Sequence, residues 1–126
     1  MRDALELTQV RGPRVMDAEA KARSLHALGA FYLRQGFPKQ GLSLLLAARD
    51  YGIRDTALDR AIAQAYLLSG APKQALKQLD DLDPSLDTQH HRESARILRS
   101  RALLALGRVE EARKTFAMVT MPGDVA

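Results

Sequence analysis

"RQGFPKQGL" (34–42) returns as "LSGAPKQAL" (68–76), the same Gly-x-Pro-Lys-Gln pattern written twice, 34 residues apart. The shift superposes Tyr32 on Tyr66, Gly36 on Gly70, Pro38 on Pro72, Lys39 on Lys73, Gln40 on Gln74, Leu42 on Leu76 and Leu45 on Leu79. A weaker third copy stands in "ALGRVEEARKTF" (105–116), where Gly107 aligns with Gly70, Ala112 with Ala75 and Phe116 with Leu79. It arrives after 37 residues, because three extra residues stand in the acidic connector "DDLDPSLDT" (80–88). A fixed period of this length marks a repeat architecture. Repeat architectures present extended surfaces to other proteins.

The chemistry of one unit explains its motif. Gly36 and Gly70 follow runs of helical apolar periodicity and suit the left-handed position that ends a helix. Pro38 and Pro72 come two residues later, where the first helical N–H has no partner to lose. Gly41, Ala75 and Ala112 are small where the second helix must lie close to the first. Each unit therefore reads as helix, tight turn, antiparallel helix. The expected helices run near 18–35, with Asp17 as N-cap, then 38–50, 56–69, 72–82, 89–106 and 109–119. "RGPR" (11–14) breaks any earlier helix, leaving residues 1–14 as an N-terminal arm, and "MPGDVA" closes the chain as part of a tail over 120–126.

Composition agrees with an all-α fold. The chain has 126 residues, enough for one domain with its own core, and is 46% hydrophobic with 27% charged residues. Leu and Ala dominate, aromatics make up 5% and Trp is absent, a balance that favours helices over sheets. With no cysteine, disulfides, thiolate metal sites and a cysteine nucleophile are excluded. The N-terminus "MRDALELTQV" lacks the apolar core of a signal peptide, and "LSLLLAA" (42–48) is too short to span a membrane. A cytoplasmic location is the expectation. The net charge of +4 is a modest excess, and few aromatics are present to stack on bases, which argues against nucleic acid and for a protein with acidic patches.

No catalytic or cofactor constellation is found in the residues. His90 and His91 are adjacent and point to different faces of a helix, and His26 stands alone, so no i, i+4 histidine pair offers itself to a metal. Asp80, Asp81, Asp83 and Asp87 surround Pro84 without the spacing of a calcium loop. No glycine-rich phosphate cradle is present. The chain is expected to be neither an enzyme nor a cofactor or metal carrier.

Over residues 22 to about 119 the pattern resembles the tetratricopeptide repeat (TPR) family. Leu28, Gly29, Tyr32, Gly36 and Gly41 fall on its signature positions, with Gly41 a departure, and Ile62, Ala63, Tyr66, Gly70 and Ala75 repeat them. In the third unit Arg96 and Arg99 stand where the family buries apolar residues, so that helix is either rotated or sends its arginines to solvent. The resemblance implies an α-solenoid of three hairpins, over units of about 22–55, 56–89 and 93–119. Its concave face would be lined by the first helix of each unit.

On that reading the groove is formed by Arg23, His26, Ala30, Leu33 and Arg34, then by Ala57, Arg60, Gln64, Leu67 and Leu68, then by Ser94, Ile97, Arg101, Leu104 and Ala105. It would have an apolar floor with basic edges. The carboxylate clamp of heat-shock co-chaperones is missing, since His26, Ala30 and Ala61 stand where that group carries Lys and Asn. An amphipathic helix or an extended apolar segment is the implied occupant. In size and layout the chain resembles the small type III secretion export chaperones of the YscY type, which would make the occupant a secreted substrate. The competing expectations are a TPR scaffold, a structural module that dimerises through the same groove, packing of the groove leucines on a terminal helix of the chain itself and, behind these, an RNA-binding protein.

Overall fold

The computed structural model describes residues 14–52, 55–82 and 88–119, with side chains from residue 17 on. Of the arm expected at 1–14, residues 1–13 lie outside the described residues, as do the connector acids Asp83 and Asp87 and the tail at 120–126, while Arg14 already belongs to the first helix. Among the described residues there are six helices and no strand: α1 (Arg14–Arg34), α2 (Pro38–Arg49), α3 (Thr56–Leu68), α4 (Pro72–Asp80), α5 (Gln89–Ala105) and α6 (Val109–Ala117). The repeat map holds within two residues at the ends of α2 to α6. At the start of α1 it does not. The helix already includes Arg14, so Asp17 is not its N-cap but an acid in its first turn, where it faces the positive end of the helix dipole and pairs with Lys21 at 3.3 Å.

Each hairpin is closed by the same turn. Gly36 has φ of +88° and Gly70 +83°, the left-handed region where a side chain is strained. In the first turn Gly36 N–H donates to Leu33 O at 3.2 Å and Phe37 N–H to Tyr32 O at 2.9 Å. Gly70 to Leu67 and Ala71 to Tyr66 repeat the pair at 3.2 and 2.8 Å, and Gly107 to Leu104 and Arg108 to Leu103 repeat it at 2.9 Å each. These two bonds satisfy carbonyls that the helix end would leave unpaired. The next helix then starts with Pro38 or Pro72, and with Val109 in the third unit. Where longer connections enter a helix, side chains do the capping: Asp55 Oδ1 accepts from Ala57 N–H at 2.9 Å and Thr88 Oγ1 from His91 N–H at 3.2 Å.

Within a hairpin the two helices cross where side chains are smallest. A Cβ added at Gly29 would lie 2.8 Å from Leu45 Cγ, and one at Gly41 would lie 2.8 Å from Gly29 O. Leu33, four residues beyond Gly29, reaches Gly41, four residues before Leu45, which is antiparallel register. The same crossing recurs as buried Ala63 with Ala75 and buried Ser100 with Ala112.

Neighbouring hairpins then pack on one another: α2 contacts α3, α4 contacts α5, and the first helices touch as α1 on α3 and α3 on α5. The main core lies between hairpins one and two, with Leu33, Leu45 and Ala48 on one side and Leu58, Ile62 and Ala65 on the other. Leu45 and Ile62 are fully buried. Each such side chain contributes about 1.5–3 kcal/mol on leaving water. At the next interface Ala95 and Arg99 replace Leu58 and Ile62, and a cleft of about 340 Å³ opens there beside Leu79 and Leu82. Arg99 spans the gap by an ion pair with Asp80 at 2.6 Å, and Arg96 donates to Met118 O at 3.2 Å. The two arginines therefore tie α5 to α4 and to the segment after α6.

The two kinds of glycine give different expectations. At Gly70 an added Cβ meets nothing within 4 Å. Gly70→Ala should therefore destabilise only through its backbone angle, by about 1–2 kcal/mol in a urea titration. Gly41→Ala copies what units two and three carry, yet its methyl would strike the Gly29 carbonyl. A loss of about 1–3 kcal/mol is expected, the range for overpacking. Wild-type stability in Gly41→Ala would show that the first crossing has slack.

Candidate functional site

The sequence-nominated residues fall on the face made by α1, α3 and α5, and the structure divides them among three clefts. Between α1 and α3, Arg23 and His26 line a cleft of about 230 Å³ together with Glu19, Ala22, Asp55 and Leu58. Two carboxylates thus stand beside the basic pair, and Arg23 lies 3.9 Å from Glu19. This cleft has mixed charge, not the apolar floor with basic edges read from the sequence.

Between α3 and α5, Arg60, Gln64 and Ile97 come together with Ala61, Ser94 and Leu98 around about 330 Å³. Ile97 is also shared with a third cleft of about 330 Å³, walled by Ile97, Leu104, Val109, Ala112 and Phe116, with Ser100, Arg101 and Arg113 at its borders. Its walls are almost wholly hydrocarbon. Arg101 makes no hydrogen bond or ion pair among the described residues, while Arg113 lies 3.4 Å from Glu110.

Five nominated residues are placed differently. Leu33 is not part of a groove: it is buried and packs in the core between hairpins one and two. The antiparallel crossing turns it toward Gly41, and the second hairpin covers it. Leu67, its repeat equivalent, is half-buried, and so is Ala30. Arg34 is exposed at the end of α1, while Leu68 is exposed on α3.

The sequence reading missed Val109 and Phe116, which belong to the second helix of the third unit. A signal was present. Phe116 aligns with Leu45 and Leu79, which are 0% and 4% exposed, yet it is 51% exposed because no fourth hairpin covers it among the described residues.

Among the described residues no cluster of three His, Asp or Glu could hold a metal ion, and no helix is long and apolar enough to cross a membrane. His90 and His91 stack at a tilt with centroids 5.9 Å apart, on the exposed start of α5. No family model, no curated protein and no solved structure matches the chain.

The same repeat position is core in one unit and surface in another, and stability should report it. Leu33→Ala should lose about 2–5 kcal/mol, as buried leucines do. Leu104→Ala, at a residue 58% exposed, should stay within about 0.5 kcal/mol of wild type. Equal losses at both sites in thermal or urea unfolding would mean that Leu104 is covered.

Proposed function

We propose that this chain is a protein-binding module of the TPR-like solenoid type, acting as a chaperone or adaptor. It would hold an amphipathic helix or an extended apolar segment against the concave face of α1, α3 and α5. The observation that carries this reading is the position of Ile97. It joins a cleft edged by Arg60 and Gln64 to one walled by Leu104 and Phe116. A bound helix laid along that line has hydrocarbon to bury at one end and donors to meet at the other, and guanidinium groups pair well with the carboxylates of its polar side. Leu68, Ile97 and Leu104 are 42%, 38% and 58% exposed, so apolar side chains on these helices remain in water for a partner to cover. The resemblance to export chaperones adds a secreted protein as the class of partner. That step rests on size, repeat motif and unit count alone.

Capture with the native chain as bait, followed by mass spectrometry, tests the reading against groove variants. Ile97→Glu should keep its helical content by circular dichroism and weaken the captured partner by roughly 30-fold or more, the scale of a 2 kcal/mol hot spot. Arg60→Ala should have a smaller effect that shrinks with added salt, as a screened edge charge does. A partner that survives Leu68→Glu and Ile97→Glu unchanged would place binding elsewhere. Retention that disappears with nuclease treatment would identify nucleic acid as the ligand instead.

A further inference from the structure

At each end of the hairpin series, exposed apolar side chains stand at repeat positions that are buried elsewhere in the chain. At the C-terminal end, Leu104 (58% exposed) repeats Leu33 (9%), and Phe116 (51%) repeats Leu45 (0%) and Leu79 (4%). At the N-terminal end, Leu28 (45%) repeats Ile62 (0%), and Phe31 (47%) repeats Ala65 and Ala102 (0% each). Inside the chain, the face carrying Leu33 and Leu45 packs on the face carrying Ile62 and Ala65. The exposed ends are therefore the two halves of an interface the chain already makes internally, one half at each end.

We propose that these ends dock on each other between molecules: the third hairpin of one copy packs on the first hairpin of a second copy, continuing the internal stacking. The fit is a larger version of the internal one. Phe31 stands where the internal interfaces have alanine, and the face that would receive it holds an open apolar cleft of about 330 Å³. Pairing two C-terminal faces about a two-fold axis is disfavoured, because it would bring Arg101, unpaired among the described residues, toward its own copy. Head-to-tail contact avoids that and is heterologous, so it closes into a ring or grows as a filament. The inference shares the cleft walled by Leu104 and Phe116 with the groove reading, but it is read from the mass of the purified chain with no other protein present, so either one can fail alone.

Two end-blocked variants decide it. Phe116→Glu charges the C-terminal face and Phe31→Glu the N-terminal face, both at positions about half exposed. By multi-angle light scattering or sedimentation, the wild-type chain should grow in mass with concentration, or form a ring, beyond its 13.9 kDa monomer. Each variant alone should stay at the monomer mass. Mixed together, the two variants should form a species of twice that mass and nothing larger, since each supplies the face the other lacks. Formation of that heterodimer also shows that both variants fold; Leu28→Lys and Leu104→Lys repeat the test with the opposite charge. A wild-type chain that remains monomeric at every concentration overturns the proposal, because another segment or another protein then covers the ends. Continued assembly of either variant alone, or a mixture that stays monomeric, overturns it as well.

Discussion

The fold depends on one recurring constraint, the left-handed glycine that stops the first helix of each unit. Once Gly36 or Gly70 takes φ near +85°, two carbonyls at the helix end accept from the glycine's own N–H and from that of the residue after it. The chain then leaves in a direction fixed to within a few degrees: the residue after the glycine has φ −118° and ψ 68° at Phe37, and −121° and 65° at Ala71. Arg108 keeps nearly the same ψ, 68°, although no proline follows it. The turn alone therefore sets an antiparallel hairpin, and the small residues at the crossing only have to permit the approach. That order of cause explains why units with different crossing pairs, Gly with Gly, Ala with Ala and Ser with Ala, share one shape.

A hairpin so built buries its seam and leaves two broad faces bare. Its stability must come from a neighbour, as for repeat proteins in general. The first interface meets this need with aliphatic residues, and Leu45 and Ile62 lose all contact with water. The second meets it less fully. Arginine and alanine replace isoleucine and leucine, a cleft remains, and an ion pair whose side chains are 33% and 62% exposed bridges it. An exposed pair of this kind adds at most about 1 kcal/mol. The third hairpin is thus held more by its own α5–α6 seam and by connectivity than by burial against the second, and its Leu104 and Phe116 are each more than half exposed.

The helix boundaries were legible from the sequence because backbone chemistry is local. Glycine and proline mean the same thing wherever the repeat places them, and the calculation of period carried the map into the third unit despite its lost proline. Exposure was not legible in the same way. Leu33, Leu67 and Leu104 are one residue type at one repeat position, and they range from core to surface because covering depends on whether another hairpin follows. The same holds for Leu45, Leu79 and Phe116. Groove residues inferred position by position therefore mixed Leu33, which the second hairpin covers, with Ile97 and Leu104, which nothing described covers. Arg96 and Arg99 looked like exceptions only while their partners, Met118 O and Asp80, were out of view.

The distinction between groove and ends also separates two kinds of binding chemistry. The face of α1, α3 and α5 changes along the chain from a cleft holding both carboxylates and basic groups to one edged by arginine and glutamine, and at Ile97 it meets the hydrocarbon of the C-terminal end, where α5 lies beside α6. On the proposed reading, a ligand laid along that face would need an apolar end and a charged end, and its orientation would follow from which is which. The end faces have no such gradient. They present leucine and phenylalanine in the spacing that the internal interfaces use, and hydrophobic burial is indifferent to orientation unless shape imposes one. Here shape does impose one, since each internal contact joins the C-terminal face of one hairpin to the N-terminal face of the next. Among the described residues, writing one hairpin three times thereby presents one half of the internal interface at each end of the series.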